Sequence, residues 1–327
     1  VGKTQQPRWT AADIPDLHGR VAVVTGASAG LGVATAFLLA DSGAHVVLAC
    51  RNLEKAELVA DSIRVGAPDA ELSLVELDLA VQASVHAAAQ QLRDRFAHID
   101  LLINNAGTAV MRPERTEDDF ETTIATNHLG HFALTGLLLD RLLAAPAARV
   151  VSVTSGAFGK TMDTVDVDDL FFERRDYRGL HAYAQSKLAV QLFIAELQRR
   201  LNGTDARLVA AMANPGVAQS DFEQNLGPVV RFLSRPAFKW FFDSLKQTPE
   251  MGALPTVRAA VDPSVRGGEF FGPTGRFKGY PIHKAPTPGA DDPELAARLW
   301  EKSEQLTGVS FRFTEPVGDL EAGHSLR

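Results

Sequence analysis

Tyr183 and Lys187 stand four residues apart in a stretch, Tyr183 to Leu201, whose apolar pattern predicts a helix. Residues i and i+4 share one helix face, so a phenol and an ammonium converge there on one ligand. A free tyrosine titrates at about pH 10, too high for an efficient base near neutrality, and a neighbouring cation favours its phenolate. A Tyr-x-x-x-Lys pair arises often by chance, so its meaning depends on what else reaches it. Ser155 follows an apolar strand from Arg149 to Thr154. Asn127 falls inside a long helical pattern, about 117–143, where asparagine has poor propensity.

The second group of residues is built for an anion. After the β-branched run Val21 to Val24 come Thr25-Gly26-Ala27-Ser28-Ala29-Gly30-Leu31-Gly32, followed by Val33, Ala34, Phe37 and Leu38 at helical spacing. Absent side chains let a backbone approach a pyrophosphate, and the N-terminal amides of the following helix point at it. A glycine turn alone is also explained by a tight bend, but the strand before it and the helix after it are the context that a dinucleotide site requires. About twenty residues further on, where an acid would bind the ribose hydroxyl of NAD, the chain reads Cys50-Arg51-Asn52. Arg51 is suited to a 2′-phosphate, so NADP is expected over NAD.

The positioning elements follow from the same pattern. Apolar runs at 44–49, 72–77, 101–104, 149–154 and 208–213 alternate with helical stretches at 52–65, 81–97, 117–143 and 183–201. Continuous apolar strands separated by helices predict an α/β, doubly wound parallel sheet with helices on both faces, in a single domain. Ligands in such sheets bind at the carboxyl ends of the strands. The expected cofactor contacts are therefore Gly26, Ser28, Gly30, Leu31 and Gly32 after the first strand, Arg51 and Asn52 after the second, Asp78 and Leu79 after the third, and Asn105, Ala106 and Gly107 after the fourth.

Composition narrows the partners. The chain of 327 residues carries 33 Lys and Arg against 40 Asp and Glu, a formal charge of −7, which removes the electrostatic footprint of a nucleic-acid binder. Its single cysteine, Cys50, excludes an intrachain disulfide and a cysteine-rich metal site. Residues 21–40 form an uncharged run long enough to span a bilayer, but the clustered glycines make it strand, turn and helix instead. No apolar signal segment is visible at the start, so a cytoplasmic location is the default expectation. His128 and His131 invite a metal reading; no third ligand is suggested, and none is expected. His181 is read as a solvated or capping residue.

The motifs TGASAGLG at 25–32, NNAG at 104–107, Asn127, Ser155, YAQSK at 183–187 and NPGV at 214–217 together resemble the short-chain dehydrogenase/reductases over residues 18–272. DDLFFERRDYRGLHAYAQSKLA, residues 168–189, is similar to the retinol dehydrogenase and WW-domain oxidoreductase branch. The resemblance implies a Rossmann-type sheet of about seven strands and an active site of Asn127, Ser155, Tyr183 and Lys187. It implies that Tyr183 exchanges the proton, Ser155 holds the same substrate oxygen, and Lys187 lowers the tyrosine pKa and holds the nicotinamide ribose. Asn127 is then expected to place Lys187 through a water, and Pro215, Gly216 and Val217 to border the nicotinamide. About 28 residues separate Ser155 from Tyr183, twice the family's common spacing, which marks an insert at 156–180 that lines or covers the site.

The remaining expectations concern the periphery. Residues 1–17 read as an N-terminal arm, and 273–327 as an extension with one short helix at 294–306 that wraps back onto the domain. Residues 218–250 occupy the substrate loop and hold Phe222, Phe232, Phe238, Trp240, Phe241 and Phe242. Such content suits a lid over a hydrophobic alcohol, aldehyde or ketone, with a subunit contact or a membrane-surface contact as alternatives. A homo-oligomer is possible by family analogy. Two function classes stand: an NADP(H)-dependent carbonyl reductase or alcohol dehydrogenase, and a catalytically silent NADP(H)-binding sensor or interaction protein.

Overall fold

The computed structural model describes residues 8–155, 164–216 and 247–313. Strands β1 (Val21–Thr25), β2 (His45–Cys50), β3 (Leu72–Glu76), β4 (Leu101–Asn104), β5 (Arg149–Val153), β6 (Val209–Ala213), β7 (Phe270–Pro273) and β8 (Pro281–Lys284) form one sheet in the order β3-β2-β1-β4-β5-β6-β7-β8. All neighbours are parallel except β7 and β8. The expected seven parallel strands are therefore seven, with an eighth added antiparallel. It follows the Thr274–Gly279 turn too closely for a crossover, so a hairpin is the available connection.

Among the described residues the α-helices are α1 (Gly30–Asp41), α2 (Leu53–Gly66), α3 (Gln82–Arg95), α4 (Thr122–Ile124), α5 (Gly130–Leu137), α6 (Leu139–Leu143), α7 (Gly179–Leu201), α8 (Pro249–Val261) and α9 (Pro293–Thr307). Strand side chains alternate between two cores: Ala22, Val24, Val46 and Leu48 pack on one face with Leu39 and Leu254, and Val23 and Val47 pack on the other with Phe132 and Phe193. Burial on both faces is what removes the polar alternation from these strands. The uncharged run 21–40 is explained in the same way: β1 is central and α1 packs on α8, so neither meets water along much of its length. Among the described residues, no helix is long and apolar enough to cross a membrane.

The boundary at residue 272 falls inside the sheet, since β8 continues it and α9 packs on α7. Asp292 caps α9 by accepting from the backbone of Glu294 and Leu295, Pro293 opens it, and Gly308 closes it in the left-handed region at φ 69°. Its Trp300 packs against Phe132, Phe193 and Phe311. The arm contributes as well, because Trp9 and Leu17 are buried in the α1 face of the core. Residues 156–163 of the insert and 218–246 of the apolar loop lie outside the described residues.

Candidate active site

Strand order reverses between β1 and β4, and a cleft of about 900 Å³ opens at the carboxyl ends there. Its lining includes Gly26, Ser28, Gly30, Leu31, Gly32, Arg51, Asn52, Asp78, Leu79, Asn105, Ala106 and Gly107, together with Ser155, Tyr183, Lys187, Pro215 and Gly216. The structure thus brings the strand-end residues named from sequence to one place. Val217 lies outside the described residues. Asn127 stands behind the cleft wall.

The glycine turn has the shape a pyrophosphate needs. Gly26 adopts φ 67° and Gly30 φ 54°, conformations that side chains resist. A Cβ on Gly32 would collide with the Gly26 carbonyl oxygen, so the helix start can close on the turn only with glycine there. Thr25 ties this turn to β4: its Oγ1 accepts from the backbone N–H of Asn105 and of Ala106, each at 3.0 Å. Asn105 Nδ2 donates to the Thr25 carbonyl at 2.8 Å, so that side chain holds the cleft together. Burial raises the pKa of the Cys50 thiol, and Ser28 beside it pulls the other way.

At the adenosine end, the Arg51 side chain is 79% exposed and stands 3.7 Å from Asp78 Oδ2. Asn52 Oδ1 caps α2 by accepting from Lys55 N at 2.8 Å, which leaves the Asn52 side chain a structural duty. Lys55, in the first turn of α2, lines the cleft beside Arg51 and is a second cation that the sequence reading missed. Its signal was present, since Asn52 and the helical pattern after it place Lys55 in the first turn of a helix that starts at the end of β2. A cradle that side chains would fill, a helix N-terminus and two basic groups at its far end fit a phosphorylated dinucleotide.

Tyr183 and Lys187 project from α7, with the ammonium 5.8 Å from the centre of the tyrosine ring. Burial pushes the Tyr183 phenol well above its ordinary range, and a hydrogen bond with Ser155 pulls the other way. Lys187 donates to the Val153 carbonyl oxygen at 3.0 Å, and burial brings its pKa down to about 8. In the protein alone the phenol therefore stays protonated, an acid at neutral pH. Lys187 at this distance does not offset the burial; a charged group bound in the cleft would have to add to it.

Asn127 sits in a π-helical turn, Ala125–Leu129, where the Gly130 N–H reaches back to the Ala125 carbonyl. Such a turn inserts one residue into a helix and turns the side chains on either side of it. The amide is thereby brought to Thr108: Oδ1 accepts from Thr108 N at 2.7 Å, while Nδ2 donates to Thr108 O and to Ser186 Oγ, each at 2.9 Å. What Asn127 holds directly is the loop after β4 and the residue beside Lys187. A Cβ on Gly107 would fall 3.2 Å from Asn127 Oδ1 and 3.3 Å from Lys187 Nζ, so the chain passes tightly between the two.

The two histidines of this helix are neutral and structural. His131 Nδ1 faces the Asn127 carbonyl at 3.1 Å and Nε2 faces Thr25 Oγ1 at 2.9 Å. His128 Nε2 donates to Ser303 Oγ of α9, which itself donates to the Leu299 carbonyl. Burial lowers their pKa values to about 3 for His128 and about 4 for His131. Near Pro215, the carbonyl oxygen accepts from Gln247 at 2.6 Å and Gly216 adopts φ 70°, which shapes the far rim.

Fold and cleft together define the class as a doubly wound α/β protein with a glycine-rich turn at the switch point of its sheet. A family profile described as short chain dehydrogenase matches residues 20–166. Human retinol dehydrogenase 13 is 38% identical over 293 residues, covering 90% of this chain and 86% of that protein. A solved structure of an uncharacterized protein from Mycobacterium paratuberculosis is 37% identical, with a TM-score of 0.77 over 94% of this chain and all of that one. Another, from Beutenbergia cavernae and holding NADP at low occupancy, is 26% identical with a TM-score of 0.60, covering 79% of this chain and 96% of that one. The chain belongs to the short-chain dehydrogenase/reductase family, in its retinol dehydrogenase-like branch.

Proposed function

We propose that the protein is an NADP(H)-dependent oxidoreductase that interconverts an apolar alcohol and its aldehyde or ketone, with Tyr183 as general acid and base. The observation that carries this reading is the Tyr183 phenol, hydrogen-bonded with Ser155 on a cleft built for a dinucleotide. A nicotinamide bound there supplies or accepts the hydride. Tyr183 Oη gives its proton to the carbonyl oxygen in reduction and takes the hydroxyl proton in oxidation. Ser155 Oγ steadies that same oxygen. Lys187 Nζ, anchored on Val153, favours the phenolate and would hold the ribose of a bound nicotinamide nucleotide. Asn127 fixes the loop between them.

Arg51 and Lys55 favour the phosphorylated cofactor, since both would meet a 2′-phosphate and neither is a carboxylate. The apolar substrate is supported by Ala109, Val110 and Met111 on the cleft wall, and by the retinol named in the human relative. The expected aromatic lid over the cleft falls outside the described residues.

Fluorescence titration with NADPH and NADH, followed by absorbance at 340 nm with apolar aldehydes, ketones and quinones, tests the reading. Tighter NADPH binding with turnover is expected. Binding without turnover on any of these favours the silent sensor, and absence of binding to either nucleotide overturns the cofactor site.

A further inference from the structure

The insert before α7 is held to the catalytic helix, yet none of its described residues, 164–178, lines the cleft. Gln185, two residues after Tyr183, is fully buried and anchors it: Oε1 accepts from Arg175 at 2.7 Å, and Nε2 donates to the Leu170 carbonyl. Arg175 also donates to the Asp169 carbonyl at 3.0 Å and lies 4.1 Å over the Phe172 ring. Phe172 itself takes φ 57°, a conformation a bulky residue holds only when its surroundings force it. This braced unit presents Tyr177, packed edge-on to Phe172 at 5.3 Å, toward the back of the cleft wall.

That wall is the segment 108–111. Asn127 fixes its first residue on both backbone groups. Val110 and Met111 follow, lining the same cleft as Tyr183. The Tyr177 hydroxyl donates a hydrogen bond shared between the Val110 carbonyl oxygen, 2.7 Å away, and Glu121 Oε1, 3.0 Å away. Glu121 is buried and its carboxylate already caps α4 by accepting from Thr123 and Ile124, so it offers Tyr177 a fixed partner. Burial and this carboxylate both push the Tyr177 phenol upward, which keeps it a donor. Gly179, the first residue of α7, presses on the same segment: a Cβ there would come within 2.6 Å of Met111 Cα and of the Val110 oxygen.

From this geometry we propose that Tyr177 is a specificity-determining positioning residue. Through the Val110 carbonyl it sets where the 108–111 wall stands, and so how large an apolar carbonyl compound packs against it, without touching the substrate. The insert thereby acts on selectivity from behind the wall. The inference rests on the oxidoreductase reading above and adds to it a residue that no reacting atom touches.

The test compares the wild type, Tyr177→Phe and Gly179→Ala with NADPH and two aldehydes, decanal and propanal. Tyr177→Phe keeps the ring and removes the tether; Gly179→Ala displaces the same wall with Tyr177 intact. The expected result is a rise of about fivefold in KM for decanal, with kcat for propanal and the NADPH Kd unchanged within about twofold. Gly179→Ala is expected to shift the decanal-to-propanal ratio of kcat/KM as well. Hydrogen exchange at amides 108–114 is expected to quicken in Tyr177→Phe. A general loss of stability would instead lower both aldehydes together. An active wild type whose two variants keep its ratio overturns the inference alone, as does unchanged exchange. A wild type that reduces neither aldehyde and no other carbonyl compound overturns the reductase reading and the selectivity with it.

Discussion

The Lys187 ammonium stands 5.8 Å from the centre of the Tyr183 ring, one helical turn along α7, with both side chains buried. Burial works on them in opposite directions: it raises the phenol and lowers the ammonium to about 8. At neutral pH the phenol is therefore held protonated, while the ammonium keeps its proton but less firmly than usual, and the pair is set for proton donation. A cation or phosphate brought into the cleft alters that balance. Replacing Tyr183 by Phe removes the proton donor with little change of shape. Turnover is expected to fall by roughly 10² to 10⁴-fold, while NADPH affinity, read by fluorescence, stays within about threefold. Retained turnover would remove Tyr183 from the reaction.

Lys187 also carries a stability cost with a defined pH window. Its folded pKa is about 8, against 10.5 for a lysine in water. Below pH 8 both folded and unfolded chains hold the proton, and the folded chain bears the cost of a buried charge. Between pH 8 and 10.5 the unfolded chain binds more protons, so this contribution makes stability rise with pH. Lys187→Met is expected to be more stable than the wild type at pH 7, by up to about 3 kcal/mol, and to lose most of that advantage by pH 10. Urea unfolding of the two proteins at both pH values is the measurement. A wild type that is the more stable at pH 7 would contradict it.

The proposed preference for NADP is tested at Arg51, exposed at the end of β2 and 3.7 Å from Asp78. Arg51→Glu replaces a phosphate partner by a repelling carboxylate, next to one already present. NADPH affinity is expected to fall roughly 10 to 100-fold while NADH affinity holds or improves. Lys55→Ala is expected to give a smaller loss in the same direction, because one cation remains. Equal losses for both nucleotides would mean that Arg51 supports the fold of the turn.

Much of this was legible in residue order. β1, the glycine turn and α1 announced themselves, because apolar β-branched residues, clustered glycines and helical spacing are local signals. Other features depend on partners far along the chain. The pattern at 117–143 predicts one helix, but the chain forms α4, a π turn, α5 and α6; the π turn answers to Thr108 and Ser186, which no local periodicity reveals. α7 begins at Gly179, ahead of the predicted start, because that glycine fits against Met111. α8 was hidden by Pro255 within it and by Gly252 and Ala253, which are small because the helix is packed against α1. Strand β8 lies in a Pro- and Gly-rich stretch that reads as a loop until the hairpin with β7 pairs it.

The histidines behind the site are expected to make the fold sensitive to acid. His131 joins the π turn to β1, through the Asn127 carbonyl and Thr25 Oγ1, and His128 joins the same turn to α9 through Ser303. Burial holds both neutral, with pKa values of about 4 and about 3 against 6.5. As pH falls below 6.5 the unfolded chain takes up protons that the folded chain refuses, so stability declines until the folded pKa values are reached. The loss is expected to begin near pH 6.5 and to deepen toward pH 4, ahead of the range in which ordinary carboxylates titrate. His131→Gln retains hydrogen-bonding capacity without an imidazole, and should be less stable at pH 7 yet show a shallower decline between pH 6.5 and 4.5. Because His131 holds the two elements that carry Thr25 and Asn127, the variant should also bind NADPH more weakly. An unchanged slope in denaturant unfolding across that interval would show that the acid sensitivity arises elsewhere.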